Sequence, residues 1–148
     1  HMMLDFALSE SFEGKSILDM GCGTGVLAIL ASMKGAVSVD AIDLDPWCIE
    51  NATENALKNN CSNVNCVLGS SLTKDIPTYG LIFANINRNI LLEQISSYSL
   101  ALIEGGVLLL SGFYQSDIES LRQCCEAEGL SYVEEKQKGD WCALKFVK

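Results

Sequence analysis

Residues 17–26, Ile-Leu-Asp-Met-Gly-Cys-Gly-Thr-Gly-Val, constrain this chain more than any other segment. An apolar, β-branched run ends in Asp19, then Gly21, Gly23 and Gly25 alternate, and an apolar helix-forming run follows. This is a strand, a tight glycine turn and a helix N-terminus, the arrangement that holds a ligand at the edge of a parallel sheet. Its spacing is G-x-G-x-G. The dinucleotide fingerprint G-x-G-x-x-G needs a glycine where Val26 stands, and no Gly-Lys-Ser or Gly-Lys-Thr follows to make a P-loop. An acidic residue ahead of the turn, without a phosphate lock, suits a cationic, phosphate-free cofactor, and S-adenosylmethionine is the expected one.

A second acidic strand end strengthens that reading. Residues 37–43, Val-Ser-Val-Asp-Ala-Ile-Asp, place Asp43 about twenty positions after Gly21, where such folds set a carboxylate on ribose hydroxyls. Asp45 and Pro46 then supply an N-cap and a first-turn proline for the next helix. The plainer alternative makes Asp43 a second cap and nothing more.

The rest of the chain alternates strand and helix. A short amphipathic helix over residues 3–11 closes at Gly14, and strands are expected at 16–20, 37–43, 63–68, 79–85 and 107–111. Helices are expected at 24–34, 46–59, 89–102 and 116–129. The helix at 24–34 is apolar almost all round, which predicts burial on the sheet. Residues 130–137 and 141–147 read as a hairpin turning at Lys138-Gly139-Asp140. The predicted fold is therefore α/β, a doubly wound Rossmann-like sheet of about seven mostly parallel strands with a C-terminal antiparallel hairpin.

At 148 residues this is one domain's worth of chain, and no apolar run approaches the ~20 residues of a membrane-spanning helix. His1-Met2 reads as a remnant of cloning, which leaves residues 3–148 as the domain. No secretory pattern precedes them, and the seven cysteines are odd in number with no C-x-x-C pair. Free thiols in a reducing cytoplasm are expected. The net charge of −9, with Lys and Arg scattered, disfavours a nucleic-acid backbone and suits a basic protein or a small molecule. The sole histidine is His1, so neither an imidazole base nor a histidine metal site is expected, and no metal is assigned.

The order of these motifs resembles that of the class I methyltransferases. More narrowly, Asp19 to Gly25, Ile42-Asp43-Leu44-Asp45-Pro46, Gly69-Ser70, Ala84-Asn85-Ile86, Leu110-Ser111-Gly112 and Trp141-Cys142 together resemble the PrmA-type family, from Lys15 onward. The resemblance implies methyl transfer to lysine or N-terminal amines of large-subunit ribosomal protein eleven, a basic substrate. It also implies an N-terminal substrate-binding domain and a threonine-containing segment that helps close over the cofactor, neither of which this sequence contains. Cofactor binding with poor methylation of the ribosomal protein is the expectation for these residues alone. After Asn85 stands Ile86-Asn87-Arg88, so the Asn-Pro-Pro-Tyr motif of many amino-group methyltransferases survives only in its asparagine.

Methyl transfer to an amine depends chiefly on alignment and on a neutral nucleophile. A free lysine, with a pKa near 10.4, lies roughly 4–5 kcal/mol from its neutral form at pH 7. A desolvated pocket and a neutral acceptor such as Asn85, at a strand's carboxyl end, address that difficulty without adding charge. The alternative makes Asn85 a helix cap. The expected cofactor-binding set is Asp19, Gly21, Cys22, Gly23, Thr24, Gly25, Asp43, Leu44, Ser70 and Asn85, with Asn85 also catalytic. Ser70 is assigned to the adenine amine, and Leu44 or Trp47 to the adenine face unless they are core. Tyr79, Tyr98, Tyr114 and Tyr132 read as packing residues, and Arg88 as a carboxylate holder or a solvated arginine. Two other functions stay open: a small-molecule or glutamine-amide methyltransferase, and a non-catalytic cofactor-binding interaction domain.

Overall fold

The computed structural model describes residues 2–72 and 77–148; His1 lies outside them. Helix α1 (Met2–Ser9) leads into β1 (Ser16–Met20), α2 (Val26–Met33), β2 (Ser38–Asp43), α3 (Pro46–Lys58) and β3 (Val64–Leu68). Then come β4 (Tyr79–Asn85), α4 (Arg88–Ala101), β5 (Leu102–Tyr114), a 3₁₀ turn (Gln115–Asp117), α5 (Ile118–Ala127), β6 (Ser131–Lys138) and β7 (Trp141–Val147). The seven strands form one sheet in the order β3-β2-β1-β4-β5-β7-β6, parallel from β3 to β5 and antiparallel at β7 and β6.

Strand alternation sorts the apolar residues onto two faces. Leu18, Met20, Ile82, Ala84, Leu108 and Leu110 point toward α4 and α5, where Leu91, Ile95, Tyr98 and Leu121 meet them. Ile17, Leu81, Phe83 and Leu109 point the other way, toward Phe6 of α1 and Ala28, Ala31 and Ala52 of α2 and α3. β1 and β4 are central, which explains their continuous apolar runs. Each fully buried Leu or Ile contributes about 1.5–3 kcal/mol of apolar transfer.

Three expectations need correction. Helix α2 does not bury itself all round: Ala28 and Ala31 sit on the sheet, while Val26 and Met33 are exposed. The small alanines let one side approach closely, and no described element covers the other. β5 begins far earlier than residue 107, because Leu102 pairs with Tyr79 directly at the end of α4. A register shift between Tyr79 and Leu81 absorbs the intervening Gly105-Gly106 segment as a bulge. Finally, the expected helix at 116–129 starts as a 3₁₀ turn and becomes α-helical only at Ile118.

No described helix lies over β2 and β3 on the α4 side. There Tyr79 donates its hydroxyl proton to Asp40 Oδ2 at 2.8 Å, and Asn65 Nδ2 donates to Asp40 Oδ1 at 3.0 Å. Burial and this acidic acceptor raise the Tyr79 pKa, which keeps it a neutral donor. Tyr79 and Tyr98 are fully packed, as expected of structural tyrosines. Among the described residues, no helix is long and apolar enough to cross a membrane. All seven cysteines are free; Cys22, Cys61, Cys125 and Cys142 are buried.

The chain runs outward from β1 to β2 and β3, then returns to β4 on the opposite side of β1. That reversal opens a crevice at the carboxyl ends of β1 and β4, where sheets of this kind bind ligands.

Candidate functional site

The glycine turn fills the floor of that crevice. Gly21 N–H and Cys22 N–H both donate to the Ile42 carbonyl, at 2.8 and 3.1 Å, which pins the turn to the end of β2. Gly21 has φ +73, and a Cβ there would lie 2.4 Å from Ile86 Cγ2, so the loop after β4 packs where a side chain would stand. Gly23, at φ +54, has open space beside it instead, a cradle with nothing within 4 Å among the described residues. Gly25 differs from both. A Cβ there would meet Ala52 Cβ at 3.1 Å, so this glycine serves the packing of α2 on α3 and lines neither recess described below.

Asp43 binds the turn through its side chain. Oδ2 accepts from Gly23 N–H at 2.9 Å and Oδ1 from Asp45 N–H at 3.0 Å, leaving a lone pair on each oxygen. Asp45 caps α3 by accepting from Trp47 N–H at 2.9 Å, with Pro46 at the first position as predicted. Asp43 is therefore a turn clamp as well as a half-buried acceptor, more than the second cap of the plainer reading.

Asp19 is the most unusual group. It is 1% exposed, and its Oδ2 accepts from Ala28 N–H at 3.1 Å, near the start of α2. Its Oδ1 is buried without a hydrogen-bond partner among the described residues. Burial above all, with a smaller contribution from the Asp43 charge, pushes its pKa up to about 7 against the pull of the Ala28 hydrogen bond. Burial and the same two carboxylates raise the Cys22 thiol, so that sulfur is a protonated packing atom and no nucleophile.

Two recesses meet at this turn. The larger, about 700 Å³, is lined by Asp43, Leu44, Ser70, Asn85, Ile90 and Gln94 among others. The smaller, about 350 Å³, lies between α1 and the turn, against Leu4, Asp19, Cys22, Gly23, Thr24 and Asn85. Gly21 and Asn85 belong to both. The structure thus brings together nine of the ten expected binding residues, with Gly25 set apart. Leu44 lines the larger recess, whereas Trp47 stands 69% exposed outside both; neither is core.

Asn85 is exposed at the carboxyl end of β4 and makes no side-chain hydrogen bond among the described residues. The helix-cap alternative belongs to Asn87, whose side chain accepts from Ile90 N–H at 3.2 Å. Arg88 is partly solvated but not free: it pairs with Asp117 at 3.4 Å and so ties α4 to the turn after β5.

Sequence reasoning missed Gln94. Its Nε2 donates to the Ser70 carbonyl at 2.6 Å, and its Oε1 accepts from the buried Tyr98 hydroxyl at 2.5 Å. This relay fixes the loop after β3 against α4. An isolated glutamine on a helix gives no sequence signal for such a role.

Residues 2–148 match the family model described as ribosomal protein L11 methyltransferase (PrmA). A ribosomal protein L11 methyltransferase from Porphyromonas gingivalis is 49% identical over 147 residues, covering 99% of this chain and 51% of that protein. One of the same description from Phocaeicola vulgatus is 44% identical over 141 residues, covering 95% and 50%. The chain thus spans about half the length of the curated relatives it matches. Among solved structures, a ribosomal protein L11 methylase from Lactobacillus delbrueckii subsp. bulgaricus superposes with a TM-score of 0.92 at 27% identity, covering 99% of this chain and 76% of that one.

Proposed function

This chain belongs to the ribosomal protein L11 methyltransferase (PrmA) family, and from that premise we propose that it binds S-adenosylmethionine and directs its methyl group to amines of a basic ribosomal protein. Lysine or N-terminal amines of ribosomal protein L11 are the proposed acceptors, and the cytoplasm the proposed compartment. The observation that carries the reading is the buried, unpartnered Oδ1 of Asp19 beside the open cradle at Gly23. An amino-acid ammonium suits that oxygen, since it supplies both the missing donor and the compensating charge. Asp43, with a free lone pair on each oxygen, suits vicinal ribose hydroxyls. Leu44 and Ser70 suit an adenine, one by its apolar surface and the other by its hydroxyl.

When bound, the cofactor supplies an electrophilic methyl group, and the protein's task is placement. Asn85, in the wall shared by the two recesses, holds the acceptor amine by accepting an N–H hydrogen bond at Oδ1. Being neutral, it turns the nitrogen lone pair toward the crevice without stabilising the ammonium form as a carboxylate would. Residues 2–148 supply no imidazole; the amine's protons leave to solvent through the open side of the crevice.

The test pairs calorimetry of S-adenosylhomocysteine binding with methyl transfer to a lysine peptide. Asn85→Ala is expected to lower kcat by about a hundredfold, in the range of a lost positioning contact, with cofactor Kd changed less than threefold. Normal turnover with weakened cofactor binding would return Asn85 to a purely cofactor-holding role.

A further inference from the structure

Beyond the crevice, Tyr114 and Trp141 form a tilted aromatic pair with ring centroids 4.6 Å apart. Both are half-exposed, at 50% and 48%, unlike the packed Tyr79 and Tyr98. They are registered partners at the ends of β5 and β7. Asn85 is registered to Ser111, and Ser111 to Ala143, which packs on the α1 face of the sheet. Leu110, Phe113 and Cys142 pack on the opposite face. Alternation, reset by the bulge between Ser111 and Phe113, therefore puts Asn85, Ser111, Tyr114 and Trp141 on one face of the sheet. The aromatic pair stands about 7 Å further along the sheet than the level of Asn85, two residues of strand rise on β7 from Ala143 to Trp141, because the bulge between Ser111 and Phe113 absorbs one residue of β5.

A shallow recess of about 430 Å³ opens beside the pair, lined by Tyr114, Gln115, Ser116 and Asp140. The Asp140 side chain makes no hydrogen bond or ion pair among the described residues, though its carbonyl accepts from Gln115 N–H at 3.3 Å. Asp117 is already engaged: it pairs with Arg88 and accepts from Tyr114 N–H at 3.0 Å, fixing the turn that presents the Tyr114 ring. Lys138 is registered opposite Trp141, yet among the described contacts it lies over neither ring. Half-exposed rings with a free carboxylate at their edge attract an aliphatic stem ending in a cation.

We propose that Tyr114, Trp141 and Asp140 form a docking subsite for a basic residue of the protein substrate, two or three positions from the amine held at Asn85. The inference rests on the amine methyltransferase reading and adds the contact that selects the sequence around the acceptor. Two residues of rise along the sheet and one or two strand spacings across it separate the two places by about 8–12 Å, which an extended segment spans in two or three residues. The chain's net charge of −9 draws such a basic segment in.

The test uses two peptides carrying the same acceptor lysine, one with a second lysine three positions away and one with norleucine there. With the dibasic peptide, Trp141→Leu and Asp140→Asn are each expected to raise KM about fivefold while kcat stays within twofold. With the norleucine peptide, wild type and both variants should share one elevated KM. Equal KM changes for both peptides, or a fall in kcat alone, would overturn the subsite. Equilibrium binding, read from Trp141 fluorescence in a Trp47→Phe background, separates this from the underlying reading. Dibasic peptide that quenches Trp141 while wild type neither binds S-adenosylhomocysteine nor transfers a methyl group keeps the subsite and overturns the methyltransferase reading. Transfer that proceeds normally and ignores both substitutions does the reverse. A concentration-dependent dimer that Trp141→Leu dissociates, with no peptide binding, assigns the pair to a second copy and overturns the proposal.

Discussion

Replacing Asp19 by asparagine tests the reasoning about the crevice most directly, since the substitution keeps the shape and removes the charge. In the folded protein the Asp19 carboxyl titrates near 7, pushed there mainly by burial; unfolded, it returns to about 3.8. Between those values the folded state holds a proton that the unfolded state has lost. Stability must therefore fall as pH rises from about 4 to 7 and level off above. At 1.36 kcal/mol per pH unit, a window of about three units makes the full effect on the order of 4 kcal/mol. Asp19→Asn has no such titration. Urea unfolding without ligand, at half-unit steps from pH 4.5 to 8.5, should show wild type losing stability relative to the variant through pH 7. Parallel curves for the two proteins would refute the argument. Ligand binding should run the opposite way: an ammonium at Oδ1 needs the ionised carboxylate, so binding S-adenosylhomocysteine releases a proton below pH 7. Its affinity should climb with pH and then flatten, and the asparagine variant should bind at least tenfold more weakly at pH 8. Calorimetry in two buffers of different ionisation enthalpy measures the proton directly.

Three further outcomes follow from the same geometry. Asp43→Ala removes the proposed ribose acceptor and the clamp on Gly23 N–H, so cofactor affinity should drop by about 2–3 kcal/mol or more in calorimetry, with little loss of thermal stability because Asp43 is only half-buried. Gly23→Ala places a methyl group in open space at φ +54, costing about 1 kcal/mol of folding stability while filling the cradle. Folding with little cofactor binding is the expected result, and normal binding would show that the cradle is unused. Gln94→Leu breaks the relay from Tyr98 to the Ser70 carbonyl and is expected to raise the cofactor Kd about fivefold with kcat at saturation unchanged; a fall in kcat alone would place Gln94 in the chemistry.

Much of this molecule was legible from local sequence, because its central features are written in consecutive residues. The apolar runs of β1 and β4, the glycine turn and the Asp45-Pro46 cap each specify their own backbone; the strand limits at 16–20 and 79–85 follow from the runs, and that at 141–147 from the turn at Lys138-Gly139-Asp140. The acids at 19 and 43 were likewise visible, since a strand's end and a fixed interval place them in one crevice. Packing decided the rest. Only the folded chain shows that Gly25 faces Ala52 while Gly23 faces open space, although the two glycines are alike in sequence. The cap at Asn87, and with it the freedom of Asn85, depends on where α4 begins. The start of β5 at Leu102 depends on a pairing with Tyr79, more than twenty residues away in the chain. The burial of Asp19 arises where β1 passes beneath α2, and its raised pKa comes with that burial. Periodicity reports what a segment prefers; what stands opposite each side chain, and so which polar groups lack a partner, is set by elements distant in sequence.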